Sequence, residues 1–494
     1  MLIRNTYINM ASNVLAAGFG FASTVLVIRV YGAEVVGRIA YMTGLVGIVT
    51  FVVDLGIDQA GMKYISQKKD DYAAEFATYL FIKGILLLLF LAAASLCLVF
   101  LFRVDDVLLY LLITSNLFWA TLADIFKNTL TARREFVRLA LQTNIARGVM
   151  LGAAILFCTA WKNWYYVALL PSIEFACLVL VALPSFVTGL GIRRLPLDWG
   201  LWKKYVRYAL PLSVSTGISL SIANLDKVFV GHLLDKTHVG YLAAAEKVFA
   251  VFDILVKALT QQLFPEISYR LANVRERVFK QQMEKIVLMA NLMATVMALA
   301  LVAYGDVLIR VIYGPGFEPA AFVLKMFGAL ILAKLFFRPY HSLAYATEKQ
   351  AVFLWFTIPT FAVRIALTYL LIPVGVGGAL VAGGARPLAQ AAAWVFPRGA
   401  FILILVRKMF GTTFTRPVHL LYAWFFVAAA AAMLLGRLTA DPAADLAAGT
   451  AVICLFLAAL WFSRIVRRET VGELLEPIRS VLRKRRKERG GGSE

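Results

Sequence analysis

Runs of about 20 predominantly apolar residues alternate along the chain with short polar and basic stretches, and that length carries a helix across the hydrocarbon core of a bilayer. Such runs start near Ile8, Val36, Thr78, Val107, Thr143, Trp164, Tyr208, Val239, Ile286, Ala320, Val352, Gly378, Val418 and Ala443. They predict about fourteen membrane-spanning helices. The first run follows Arg4 as the core of a signal peptide would, but it continues to Val30, long enough to span, so it is expected to be a retained first helix.

Composition agrees with this pattern. Of the 494 residues, 61% are hydrophobic and 16% charged, and the mean hydropathy is +0.78, too apolar for a soluble core with a polar skin. The expected class is an all-α integral membrane protein. Cys97, Cys158, Cys177 and Cys454 all lie in apolar runs without metal-ligand spacing and read as free buried thiols. A net charge of +21 would suit nucleic acid, but the basic residues are spread over short loops and a tail rather than gathered in a basic domain, so no nucleic-acid partner is expected. Membrane orientation explains them. With a cytoplasmic N-terminus, most loop and tail Lys and Arg fall on the cytoplasmic side, and the other side keeps only Arg29, Arg38, Arg103, Lys162, Lys236, Arg310 and Arg437. Both termini are then cytoplasmic, in a multi-pass protein of the cytoplasmic (plasma) membrane.

The remaining cations fall inside the spans: Lys83, Arg147, Lys227, Lys247, Lys257, Lys325, Lys334, Arg338, Arg364, Arg386 and Arg398. Asp54, Asp124, Glu174, Asp226, Glu246 and Asp253 stand against them. At about 2.5–3.5 kcal/mol for each charge facing lipid, the cations alone would cost on the order of 30 kcal/mol, more than a folded protein's margin of ~5–15 kcal/mol. Most must snorkel, pair or line water. Arg338 and Lys247 lie near span ends and can snorkel; Asp253 and Lys257, four apart on one helix, can pair. The excess at mid-depth, Lys257, Lys334 and Arg364, points to a hydrated cavity for an anion, to which Arg147 and Lys227 are added as candidates.

A shift of 203 residues sets Val30–Gly56 on Leu233–Leu259 and matches Val36-Gly37 with Val239-Gly240 and Ala40 with Ala243. Loop lengths and charge also match between spans one to six and seven to twelve. Six spans per copy leave both copies in the same orientation, which implies two lobes related by a pseudo-two-fold axis along the membrane normal, with a cleft between them. The expected division is 1–200 for the N-terminal lobe, 201–410 for the C-terminal lobe, 411–464 for two extra helices and 465–494 for a basic amphipathic cytoplasmic tail. Asp54, Asp226, Asp253 and Lys247 are candidate gate or coupling residues. Asp226 and Lys227 point about 100 degrees apart on a helix, so Asp226 is expected to bond a cation of the eighth span, Lys247, while Lys227 faces water or substrate. The offset superposes Asp54 on Lys257; these two can form a cytoplasmic gate, or Lys257 can stay paired with Asp253.

Enzyme motifs are absent. His232, His238, His341 and His419 show no metal-ligand spacing, and "GVGGALVAGG" at 375–384 is not a dinucleotide fingerprint, because Leu380 stands where a glycine is needed and no strand precedes it. No cofactor, metal or catalytic residue is expected.

"LDKVFVGHLLDKTHVGYLAAAEKV" (Leu225–Val248) resembles the seventh-to-eighth-helix segment of polysaccharide flippases in the multidrug/oligosaccharidyl-lipid/polysaccharide exporter superfamily. "RVYGAEVVGRIAY", "VVDLGIDQAGMKYIS" and "IYGPGFEPAAFVLK" resemble the same family, and together the pieces cover about residues 1 to 410. The resemblance implies two six-helix bundles, alternating access, and a polyprenyl-pyrophosphate-linked oligosaccharide as substrate. Membrane lipids and polysaccharide polymerase or assembly proteins are its implied partners, and the fold's outer helices would keep Lys83, Glu174, Arg386 and Arg398 away from substrate. Drug-exporting relatives use acidic clefts, against the basic excess here. Lipid II flippases resemble the chain in having fourteen helices, but they place arginines within helix one, and Ile8–Ile28 has none; they stay as an alternative, as do a membrane glycan polymerase or ligase and a scaffold role in an assembly complex.

Overall fold

The computed structural model describes residues 2–462 apart from 51–52, 54, 69–71, 99–105, 191–198, 262, 348–358, 361, 368–369, 371–399, 414–417 and 439–441; for some of these, including 2–11, 214–223 and 257–261, it describes the backbone alone. The described residues are helical, with no strand among them. In chain order the helices are α1 (Leu2–Val49), α2 (Ile57–Ser66), α3 (Ala73–Leu96), α4 (Val107–Ala132), α5 (Phe136–Thr159), α6 (Trp164–Ala168), α7 (Leu170–Leu190) and α8 (Trp199–Leu233). They continue with α9 (Lys236–Gln261), α10 (Leu263–Asn273), α11 (Glu276–Tyr313), α12 (Glu318–Ala346), α13 (Ala400–Phe410), α14 (Val418–Leu438) and α15 (Pro442–Phe462). Among the described residues, eight helices are long and apolar enough to cross a membrane.

Helices cover predicted spans one to ten, thirteen and fourteen. The eleventh is described as helical at 359–360 and 362–367, and the twelfth lies outside the described residues, with the glycine-rich stretch, Arg386, Arg398, Asp54 and the basic tail. Spans one and two share α1 and are joined at Gly32, whose φ of 75° favours glycine. Leu88, Leu141, Leu180, Phe426 and Leu455 are largely exposed on the outer faces of their helices, where lipid rather than water solvates them.

The second span does not end cleanly. Leu55 (φ 39°) and Gly56 (φ 74°) break it, and the chain resumes as α2, which buries Ile57, Ala60, Gly61, Tyr64 and Ile65 on one face. The broken turn frees carbonyls that lipid cannot satisfy. Lys83 on α3 supplies the donor: its ammonium bonds the Val53 carbonyl at 3.1 Å and pairs with Asp58 at 2.6 Å, with its side chain 2% exposed. Tyr79 donates to the same carboxylate at 2.6 Å and accepts from Asn128 at 3.1 Å. In the other copy of the repeat the second span, α9, is likewise followed at once by a short amphipathic helix, α10.

The chain forms two compact units. The first comprises Met1–Val251, Ile309–Val323 and Val352–Ala393; the second comprises Phe252–Leu308, Leu324–Ala351 and Trp394–Glu494. In the first, α1 packs along α5 and α8, and α7 packs on α4 and α5. Asn116 on α4 fastens the junction of α6 and α7: its amide nitrogen donates to Ala168 O at 2.8 Å, and its oxygen accepts the Ser172 amide at 2.9 Å and hydroxyl at 2.5 Å. No water can replace these bonds at that depth, so Asn116→Ala is expected to cost about 2–3 kcal/mol, read as a lower midpoint of thermal unfolding in detergent; an unchanged midpoint would contradict it. In the second unit, α14 and α15 pack on α11 through Leu421, Phe425, Val452 and Phe456 against Leu299 and Val302. Tyr304 and Thr450 share a hydroxyl bond of 3.0 Å beside Gly449, where a Cβ would stand 3.1 Å from Ala303 O.

Candidate functional site

The charges inside the spans are organised mainly as pairs. In the first unit, Arg147 on α5 bonds Glu174 on α7 at 3.1 Å and gives a second N–H to Ala16 O on α1 at 2.8 Å. Its guanidinium lies over Gly20, where a Cβ would stand 3.0 Å from Nη1, so the missing side chain makes room for it. Arg364, in the short helical stretch 362–367, hydrogen-bonds Asp226 on α8; their side chains are 12% and 4% exposed. Lys227 stands 3.7 Å from Glu246 on α9. In the second unit, Lys334 on α12 donates to Asp253 on α9 at 2.8 Å, and Lys325 pairs with Asp306.

Two expectations change here. Asp226 was expected to bond Lys247, and the partner found is Arg364; a carboxylate so nearly out of solvent takes a charge-assisted bond from a guanidinium of the eleventh span, whose register hydropathy does not reveal. Lys227, expected to face water or substrate, is turned towards Glu246. Asp253 reaches across to Lys334 on another helix. The backbone of Lys257 lies in α9 but its side chain is outside the described residues, so neither its pairing with Asp253 nor a gate with Asp54 is described.

Lys247 is different. It was expected near a span end, but it follows Lys236, the first residue of α9, by eleven residues. At 1.5 Å per residue that is about 16 Å, near the middle of a core roughly 30 Å thick. Its side chain is exposed although many protein atoms lie around it, as at the wall of a recess. The charges of Lys227, Arg147 and Glu174 act on it. Among the described residues it has no ion-pair or hydrogen-bond partner, unlike Arg147, Lys227, Lys334 and Arg364. An ammonium held there is a ready contact for an anion.

Sequence reasoning passed over Asp58, Tyr79 and Asn128. The available signal was an acid just past a span beside a cation in the next one, "GIDQ" and Lys83. Among the described residues, no group of three or more His, Cys, Asp or Glu is placed to hold a metal ion.

A family model described as polysaccharide biosynthesis protein matches residues 2–270. No curated protein sequence matches the chain. Among solved structures, the lipid II flippase MurJ in an inward closed conformation is similar over 93% of this chain and 100% of that one, with a TM-score of 0.66 at 14% identity. An inward-facing multidrug resistance MATE family transporter of the MOP superfamily is similar over 82% of this chain and 96% of that one, with a TM-score of 0.53 at 12% identity. Identities this low show a shared fold and nothing about substrate. The two transporter structures give the fold, the apolar helices make the chain a multi-pass membrane protein, and the match over more than half of its length shows that it belongs to the polysaccharide biosynthesis protein family.

Proposed function

We propose that the chain is a flippase that carries a polyprenyl-pyrophosphate-linked oligosaccharide across the cytoplasmic membrane by alternating access, for assembly of a surface polysaccharide. The observation that carries this reading is Lys247, an accessible cation at mid-depth without an acid partner among the described residues. Arg147 and Lys227 add basic groups beside it, each paired with its own acid. A pyrophosphate entering the recess loses hydration and gains charge-assisted hydrogen bonds, while the prenyl chain stays in lipid and the sugars in the hydrated recess. Lys257 remains a candidate substrate contact. Lys334 and Arg364 hold helices through ion pairs, and lobes at 1–200 and 201–410 would be the moving bodies. Both termini are cytoplasmic in this reading, and membrane lipids and polysaccharide polymerase or assembly proteins are its partners. The chain does no bond-making chemistry in it.

One observation favours a second reading, a lipid II flippase. The guanidinium of Arg147 sits against Ala16 and Gly20 of α1, so the fifth span brings to the first helix the charge that the first helix itself lacks. Deleting the gene separates the two. The polysaccharide reading predicts accumulation of lipid-linked oligosaccharide in the inner leaflet, loss of surface polysaccharide and continued cell-wall synthesis. Accumulation of lipid II with arrested wall synthesis would overturn it in favour of the second.

A further inference from the structure

The two glycines matched by the sequence repeat meet the chain in a reciprocal way. A Cβ on Gly37 would stand 1.6 Å from Lys236 O, and a Cβ on Gly240 would stand 1.9 Å from Ala33 O. The same shift of 203 residues that takes Gly37 to Gly240 takes Ala33 to Lys236. Residue i of one copy therefore touches residue j of the other, while j of the first touches i of the second, which is the contact rule of a two-fold axis. The axis passes between the first turns of the second span and of α9, where both helices begin after the non-cytoplasmic turns at Gly32 and Asp235. Backbone lies on backbone there, as small residues allow between membrane helices. Packing continues inward on one flank: Gly44 lies under Asn224 and Lys227, and Gly47 accepts the Asn224 amide at 2.9 Å. Tyr41 fills the space above Gly231, where a Cβ would stand 2.2 Å from its ring.

We propose that Gly37 and Gly240 form the extracytoplasmic seal of the transport cycle, a side-chain-free contact that must part to let the glycan out and close again on return. This rests on the reading of the chain as a transporter. A carbon 1.6 Å from a carbonyl oxygen is at about half of contact distance, so any side chain at either glycine holds the two helix ends apart. A single methyl thereby biases the equilibrium towards the outward-open state without touching the recess. Pseudo-symmetry makes the two positions equivalent, so both substitutions have the same effect.

The test uses the full chain with its four cysteines replaced and one cysteine at position 247, labelled in intact cells by a membrane-impermeant maleimide. Gly37→Ala and Gly240→Ala should each raise the labelling rate by about tenfold or more, and Gly18→Ala, at a glycine with nothing within 4 Å, should leave it unchanged. Unchanged rates in both variants, purified as monodisperse protein, would overturn the seal. Should either variant fail to fold, cysteines at Ala33 and Lys236 in an otherwise unaltered contact are bridged by a short reducible bifunctional thiol reagent. Bridging that stops surface-polysaccharide export, with recovery after reduction, supports the seal; no bridging in any condition, or export that continues with the bridge intact, refutes it. The labelling result does not depend on substrate, so the seal and the assignment of the glycan fail separately.

Discussion

Lys247→Gln should abolish glycan export, a loss of roughly 30- to 100-fold or more, while the protein reaches the membrane in normal amount and keeps its thermal stability. The magnitude follows from losing one charge-assisted hydrogen bond to a dehydrated phosphate, about 2–3 kcal/mol. Stability is spared because Lys247 pairs with no described acid and leaves none stranded. Lys247→Arg keeps the charge and should retain much of the activity. Lys334→Gln offers the contrast: it removes an ion pair that joins two helices, Lys334 donating to Asp253 at 2.8 Å, and should lower stability as well as export. Normal export by Lys247→Gln, measured as surface polysaccharide per cell, would remove the residue from the site.

The largest expected loss of stability comes from Lys83→Met, about 3–5 kcal/mol, because Asp58 would remain charged beside the broken second span and Val53 O would lose its donor. The double variant Lys83→Met with Asp58→Asn removes both charges and should recover part of the loss, since Tyr79 can still donate to the amide oxygen at position 58. Thermal unfolding of the purified protein in detergent separates the outcomes. A single variant as stable as the parent would mean that the network does not hold the break. Lys83 is thus a structural cation in the first unit, although a hydropathy profile gives it the same appearance as Lys247.

The helices were legible because a bilayer demands apolar runs of fixed length, and the runs marked as spans one to ten all lie on helices. Their ends were less legible. Glu276–Lys285 is helical in α11 although the predicted span starts near Ile286, since a helix extends into water without any change in hydropathy. The break at Leu55 and Gly56 was also hidden, because an apolar run can contain a broken turn when a neighbour such as Lys83 satisfies it. The repeat was visible only as sparse identities, yet two of them, Gly37 and Gly240, are the positions where backbones touch. Pairing was the hardest part. Asp226 with Arg364 and Asp253 with Lys334 join residues 138 and 81 positions apart, and choosing among nearby cations needs helix rotation and register, which composition does not carry. In the sequence Lys247 reads as a residue that can snorkel, pair with Asp226 or serve a gate; only its depth in α9 and the partners of its neighbours set it apart.

Translocation in a defined membrane tests the central claim most directly. The purified chain is reconstituted into vesicles carrying a fluorescent polyprenyl-pyrophosphate oligosaccharide in both leaflets, and the fraction open to a membrane-impermeant quencher is followed. Equilibration between leaflets should need the wild-type chain, and the Lys247→Gln vesicles should stay at the protein-free rate. Equal leaflet exchange with and without the chain, or exchange by Lys247→Gln at the wild-type rate, would contradict the account.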